Sequence, residues 1–236
     1  KQAERFGAEL RFEGATSIEV VPEGKKVITS EGEYLARVVI ITAGASRREL
    51  EVAGEKEFMG RGVSYCATCD GSFFQKCPVA VVGGGDTAVK EALYLADIAS
   101  KVYLIHRREG FRASQIAVDK MLENDNIELK LNKVVNRIEG DSDMRTVVLQ
   151  DVRNGEEEKL EVEGLFVSIG MVSAAGFISN LVETQNGYIV TDENMESSVK
   201  GIFAAGDIRS KKARQVATAV GDGALAAIAV TEYLKE

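Results

Sequence analysis

The chain has 236 residues, 45% hydrophobic and 28% charged, the balance of an ordinary globular protein with room for two modest domains or one large one. Its formal charge of -8 argues against a nucleic-acid groove or an anionic membrane surface as the main partner, and no apolar run approaches the roughly 20 residues that span a bilayer. Three cysteines make no disulfide framework and the charged opening Lys1-Gln2-Ala3-Glu4-Arg5 is no secretory signal, so a reducing cytoplasm fits best.

In chain order, Gln2 to Phe6 reads as a helix already under way, which leads us to expect sequence upstream of Lys1. Lys26 to Ser30 and Glu33 to Ala36, joined by Glu31-Gly32, have the turn chemistry of a hairpin. Arg37 to Thr42 is an apolar run without alternation, the pattern of a strand buried on both faces, and it ends at the small residues Ala43-Gly44-Ala45-Ser46. A second unit starts near Leu50. Strand Val79–Val82, turn Gly83-Gly84-Gly85, helix Asp86 to Ala99 and strand Val102–Ile105 make one βαβ unit. A helix from Ser114 to Glu123 follows, then short alternating strands at 128–131, 146–149 and 159–162, and a buried strand Leu165–Ile169 closed by Gly170. The last stretch has a short apolar strand Ile202–Ala205, then Gly206-Asp207. A final helix runs from about Gln215 to Leu234 with Val216, Ala219, Val220, Ala227 and Val230 expected on its buried side.

Gly83-Gly84-Gly85-Asp86-Thr87-Ala88 fits G-x-G-x-x-A between a predicted strand and a predicted helix. In that context Gly83 permits the tight turn, Gly85 lets the backbone approach a pyrophosphate, and Ala88 seats the helix close on the sheet. The competing reading is a plain tight turn. An NAD site would carry Asp or Glu after the second strand, to accept from the ribose 2′-hydroxyl. Here His106-Arg107-Arg108 and then Arg112 stand there, which suits a 2′-phosphate because Arg offers a charged, bidentate fork. A solvated basic face is the bland alternative, but the position at the strand end favours NADPH.

Cys66-Ala67-Thr68-Cys69 is a C-x-x-C pair, able to close a small disulfide ring and to attack external disulfides once one thiol is ionised. A zinc site from Cys66, Cys69, Cys77 and His106 is the rival; it would place a metal on the cofactor phosphate, and the redox reading is preferred with no metal. Cys77 then reads as a small buried hydrophobe. NADPH delivers two electrons together, so a flavin is the usual relay to a disulfide.

These residues resemble the low-molecular-weight thioredoxin reductase family. The likeness is carried by Gly62-Val63-Ser64-Tyr65-Cys66-Ala67-Thr68-Cys69-Asp70-Gly71, by the glycine turn with its arginines and Phe111-Arg112-Ala113, by Ile41-Thr42-Ala43-Gly44-Ala45, by Gly201 to Asp207 and by Arg214-Gln215-Val216-Ala217. The resemblance covers the chain in order. It implies an α/β fold in which a Rossmann-like NADPH-binding domain (50–171, carrying the dithiol) is inserted in a split, here incomplete, FAD-binding domain (1–49 and 172–236).

It further implies FAD contacts from Ala43, Gly44, Gly206, Asp207, Arg214, Gln215, Val216 and Ala217, with the helix N-terminus at Gln215 presented to the flavin. Cys69 would face the flavin, Cys66 would attack the disulfide of a thioredoxin-like protein, and Asp70 would serve as acid–base group. Homodimers with a swinging NADPH domain are implied, with hinge strands near Gly44-Ala45-Ser46 and Gly170 to Gly176.

The family's first G-x-G-x-x-G does not occur after Lys1, so roughly half of a dinucleotide-binding domain is expected upstream, and a protein beginning at Lys1 is expected to hold FAD weakly. Met171 to Gly176 stands where the family has a Pro-Asn-Thr-like turn. The reductase part of a peroxiredoxin-reducing flavoprotein, and a flavin-free NADP-binding module, are the alternative functions.

Overall fold

The structure is a computed structural model that describes residues 2–235. It divides into two compact units, one formed by the residues up to 46 and from 172 on, the other by residues 47–171. The chain opens with α1 (Gln2–Arg5) and an antiparallel meander of β1 (Ala15–Val21), β2 (Gly24–Thr29) and β3 (Glu33–Ala36). The β2–β3 hairpin is the one read from the sequence. Strand β1 carries one buried side chain, Ile18, which is why no apolar pattern announced it. Next come β4 (Val39–Ile41) and β5 (Ala45–Arg47), the latter crossing into the second unit.

In the second unit a five-stranded parallel sheet runs in the order β6 (Val63–Ser64), β13 (Gly164–Val167), β7 (Pro78–Val82), β8 (Lys101–His106), β9 (Ile127–Leu131). Strand β7 shows why these runs lack alternation: its side chains point to both faces and both faces are covered. Val79 and Val81 pack with Ala88, Val89, Ala92 and Leu95 of α3 (Asp86–Ala96) and Val118 and Met121 of α4 (Gln115–Leu122). Ala80 and Val82 pack instead with Val135, Val147, Leu149 and Leu160 of a second, antiparallel sheet made by β10 (Lys133–Gly140), β11 (Met144–Asp151) and β12 (Glu157–Glu161). The stretch 128–131 is therefore the fifth parallel strand rather than part of that meander, and β10 is an additional strand. Between β6 and β7 lie the short helix α2 (Ala67–Asp70) and a 3₁₀ turn over Gly71–Phe74, whose Phe74 ring meets Phe166 edge to face at 5.4 Å.

The chain returns through β14 (Met171–Ser173), passes two minor strands, β15 (Thr184–Gln185) and β16 (Tyr188–Ile189), and then forms β17 (Ile202–Ala204), which pairs in parallel with β4. Only β17 lies beside β4 among the described residues, and Ile40 faces outward, so β4 is buried on one face where the sequence suggested two. The last helix, α5 (Val216–Tyr233), buries Ala226 against Phe203 and Met195, with Ala229, Val230 and Tyr233 packed alongside. Val216, Val220 and Ala227 are exposed, which corrects the face expected for this helix. Alanine, valine and glycine occur all around α5, so its periodicity could not choose a side.

Candidate active site

The dithiol follows the carboxyl end of β6. Cys66 and Cys69 are joined in a disulfide, with Cys66 as the extended residue that starts α2. Cys69 N–H and Asp70 N–H both donate to the Cys66 carbonyl at 3.1 Å, which closes the turn around the ring. Cys66 is 8% exposed and touches the Thr68 hydroxyl at 3.4 Å, while Cys69 lies exposed. The sulfur open to solvent is thus the one expected to meet the flavin, and the one expected to attack the partner is covered.

Three polar side chains brace this turn, and sequence reasoning assigned a role to only one, Asp70. The Ser64 hydroxyl donates to Asp70 Oδ2 at 2.6 Å and accepts the Cys66 N–H at 3.1 Å. Glu91 of α3 accepts from the Ser168 hydroxyl and from the Ala67 N–H. Burial pushes its carboxyl above the usual carboxylate range, against these hydrogen bonds and the nearby Arg47 charge, which pull it down. The signal for Glu91 was present in the sequence: it falls with Ala88, Ala92 and Leu95 on the buried stripe of α3, where a carboxyl must be doing something polar. Beside the dithiol, Glu55 is 1% exposed; it accepts the N–H groups of Leu50 and Glu51 and the Tyr65 hydroxyl, at 2.8, 2.7 and 2.8 Å. Burial, reinforced by Glu55, raises the Tyr65 phenol above its ordinary range and keeps it a donor.

The glycine turn joins β7 to α3. Gly83 has φ 152°, and a Cβ there would stand 2.4 Å from the Ser168 carbonyl oxygen and 2.6 Å from Ala88 Cβ, so strand, turn and helix close up only around a glycine. Ala88 is fully buried where α3 crosses the sheet. Gly85 differs: its Cβ position has nothing within 4 Å, which leaves the helix start open to an approaching phosphate. Asp86 Oδ1 accepts the Ser114 N–H at 3.1 Å, and the Arg112 N–H donates to the Gly84 carbonyl at 2.8 Å, tying the 107–114 loop to the turn. Thr87 is exposed beside them.

His106 lies under this loop rather than on its surface. It is 8% exposed, stacks on Phe111 at 5.2 Å and contacts the Gly110 carbonyl through Nε2. Burial holds it below the ordinary imidazole range, the Gly110 carbonyl opposes this, and the charges of Arg107, Arg108 and Arg112 add to it. Those three arginines are exposed, and none is in an ion pair among the described residues. Three free guanidinium groups next to an open helix start fit a nucleotide with an extra phosphate.

In the other unit, Thr42, Gly44, Ala205, Gly206, Asp207 and Ala219 line a cavity of about 280 Å³. Gly206, at φ 82°, donates its N–H to Asp222, which also pairs with Arg209 at 2.8 Å and Lys211 at 3.0 Å. Burial works to raise the Asp222 carboxyl, but those two cations outweigh it and hold it below the usual range. Asp207 Oδ1 is buried with the Lys211 ammonium 3.7 Å away and no hydrogen-bond partner among the described residues, so it keeps room for a donor from a bound molecule. Arg214 lies 3.8 Å over the Tyr188 ring and donates to the Asp207 and Arg209 carbonyls, so it braces the loop. Gln215 caps α5 reciprocally with Thr218, leaving Val216 and Ala217 exposed in the first turn; Ala43 is exposed as well. These features fit a flavin nucleotide: small residues for close approach, a carboxylate oxygen with no hydrogen bond of its own and an open helix start.

The profile of the pyridine nucleotide-disulphide oxidoreductases matches residues 1–223. The chain is 44% identical to the thioredoxin reductase of Treponema pallidum over 234 residues, which is 99% of this chain and 76% of that protein. Two solved thioredoxin reductases superpose with a TM-score of 0.94: that of Streptococcus pyogenes, 41% identical, and that of Giardia duodenalis, 37% identical. The alignments cover 99% and 100% of this chain, and 77% and 78% of theirs. A buried glycine turn, a C-x-x-C disulfide and matches of this extent converge on one answer: the chain belongs to the pyridine nucleotide-disulphide oxidoreductase family, as an oxidoreductase of the thioredoxin-reductase type.

Proposed function

We propose that the chain carries electrons from NADPH through FAD to the Cys66–Cys69 disulfide and from there to the disulfide of a thioredoxin-like protein. The overall change is NADPH plus a proton plus the partner disulfide, giving NADP⁺ and the partner dithiol. The observation that carries this reading is the Cys66–Cys69 disulfide closed against the Ser64–Asp70 pair, at the same sheet edge as the open glycine turn.

Residues 47–171 then form the NADPH-binding domain. Gly83 and Gly85 admit the pyrophosphate to the start of α3, Asp86 and His106 hold the surrounding loop in shape, and Arg107, Arg108 and Arg112 take the 2′-phosphate. The other unit forms the FAD-binding domain, in which Gly44, Gly206, Asp207 and the helix start at Gln215–Ala217 line the cofactor. When bound, FAD supplies the step between a two-electron hydride donor and a disulfide. Cys69 is the exposed sulfur that receives the electrons, and Cys66, once freed from the ring, is the thiolate that attacks the partner. Asp70 moves the protons of the exchange. No helix among the described residues is long and apolar enough to cross a membrane. Homodimer assembly and a cytoplasmic setting belong to the same reading and rest on the resemblance.

Cys66→Ser and Cys69→Ser should each abolish NADPH-dependent reduction of a thioredoxin-type disulfide. Both variants should still oxidise NADPH through the flavin when ferricyanide takes the electrons, because that route bypasses the dithiol. Near wild-type turnover of the protein disulfide by Cys69→Ser would overturn the proposal.

A further inference from the structure

We propose that Ser64 is a positioning residue for thiol–disulfide exchange: its hydroxyl holds the Asp70 carboxylate in register with the dithiol and fixes which carboxylate oxygen carries the working proton. The inference rests on the reading of Asp70 as the acid–base group given above.

Ser64 is the last residue of β6, paired with Phe166 of β13 in the parallel ladder, so its backbone is set by the sheet and not by the active-site turn. It is 6% exposed, with little access to water. A buried hydroxyl has one proton to donate and must place it. Here the Cys66 N–H points at Oγ from 3.1 Å, so Oγ accepts there, and its own proton goes to Asp70 Oδ2 at 2.6 Å, a distance usual for a bond to a carboxylate. One hydroxyl therefore clamps the turn at both ends: the backbone of its first cysteine and the side chain that follows its second. With Oδ2 engaged as an acceptor, a proton carried by Asp70 belongs on Oδ1. Protonating Oδ2 instead would strand the Ser64 hydroxyl proton in a buried position, at a cost like that of any unmade buried hydrogen bond.

The chemistry that this arrangement serves balances as follows. The Cys66 thiolate bonds one sulfur of the partner disulfide, the partner S–S bond breaks, and the leaving sulfur takes the proton from Asp70 Oδ1. The same oxygen then accepts the Cys69 thiol proton as the Cys69 sulfur bonds Cys66. The second partner sulfur departs and takes that proton. Two electrons and two protons have passed to the partner, and the Cys66–Cys69 ring is restored with Asp70 ionised. Asp70 has to act twice within one turnover, which makes a fixed carboxylate worth having.

The test is a double-mutant cycle of Ser64→Ala and Asp70→Asn in the FAD-loaded enzyme, with Ser64→Thr as the conservative variant. Two readouts are taken: kcat and KM with a thioredoxin-type disulfide, and NADPH oxidation with ferricyanide. Ser64→Ala should lower kcat by about 10- to 100-fold, the equivalent of one hydrogen bond to a charged group, with KM nearly unchanged. Ser64→Thr should keep most of the rate, the ferricyanide reaction should be normal in both Ser64 variants, and a thermal melt like that of wild type should show that Asp70→Asn is folded. In the Asp70→Asn background, Ser64→Ala should cost nothing further. An equal loss in both backgrounds, or a Thr variant as slow as Ala, would make Ser64 a structural residue and overturn the proposal. Wild-type rate in Ser64→Ala beside an impaired Asp70→Asn overturns it alone. Wild-type rate in Asp70→Asn instead overturns the reading of Asp70, and the proposal with it.

Discussion

Replacing Gly85 by Ala should weaken NADPH binding and leave the fold intact, while the same change at Gly84 should act first on the fold. The two residues are neighbours in one turn and differ in what lies over them. A Cβ on Gly84 would stand 2.1 Å from His106 Cε1, 2.4 Å from Nδ1 and 2.5 Å from Nε2. The imidazole has nowhere to retreat, being stacked on Phe111 and held at the Gly110 carbonyl. Overpacking of that kind costs about 1–3 kcal/mol, or a fall in Tm of roughly 2 to 12 °C at this chain length.

At Gly85, φ is -99° and ψ 177°, which any residue adopts, and the new methyl would meet nothing within 4 Å. Stability should hold, or rise by about 0.4–1 kcal/mol as the unfolded chain loses freedom. That methyl would nevertheless occupy the surface where a pyrophosphate must come close to the backbone. Losing one charge-assisted backbone hydrogen bond, about 1.5–3 kcal/mol, weakens NADPH by roughly 10- to 100-fold. The assay is a pair of measurements on each variant, a thermal melt without ligand and an NADPH titration. Wild-type NADPH affinity in Gly85→Ala would refute the phosphate cradle, and an unchanged melt in Gly84→Ala would refute the wedge.

The remaining predictions concern charge. Arg107→Ala, Arg108→Ala and Arg112→Ala should each weaken NADPH by about 10- to 100-fold and leave NADH almost unmoved, since it has no 2′-phosphate to lose. Equal losses for both nucleotides in parallel titrations would return these arginines to a solvated face. Glu91, raised above its ordinary value by burial, binds its proton more tightly folded than unfolded. Its contribution is therefore full below the usual carboxylate range and is lost as pH rises through the raised value. Glu91→Gln cannot ionise and keeps an acceptor for Ala67 and Ser168. Its Tm relative to wild type should climb between acid and neutral pH, and a pH-independent difference would show that Glu91 is not buried against its charge.

What the sequence made legible was chemistry that is contiguous along the chain. The C-x-x-C pair, the glycine turn and the arginines after β8 each lie within a few residues, and each needs only its local backbone to be recognised. Buried strands such as β7 were legible for a related reason, because two covered faces leave no polar position in the run. Strand β10 was not, since it bulges between Val135 and Arg137, which breaks the alternation that would have marked it. The register of α5 was hidden by its composition. Glu91 and Asp222 were hidden by distance, since each acts on a partner brought near by the fold; Ser64 lies inside the cysteine motif, and what the sequence did not show is where its hydroxyl points.

The parallel sheet explains how residues so far apart in sequence become one site. Four adjacent strands end on the same edge, as their shared direction requires: β6 at Ser64, β13 before Ser168, β7 before Gly83 and β8 at His106. In open α/β sheets ligands bind beyond the carboxyl ends of the strands, and here dithiol, glycine turn and arginine loop all stand there. They are also bonded to one another. Ser168 donates its N–H to Val82 just before the turn and its hydroxyl to Glu91, and Glu91 holds the Ala67 N–H next to Cys66. Helix α3 is the beam between them, starting at the glycine turn and reaching the dithiol within two turns through Glu91. The spacing between glycine turn and disulfide is thus set by strand pairing and one helix, which couples the two ends through the Glu91 and Ser168 hydrogen bonds and through the packing of Ala67 with Ala88, Val89 and Ala92.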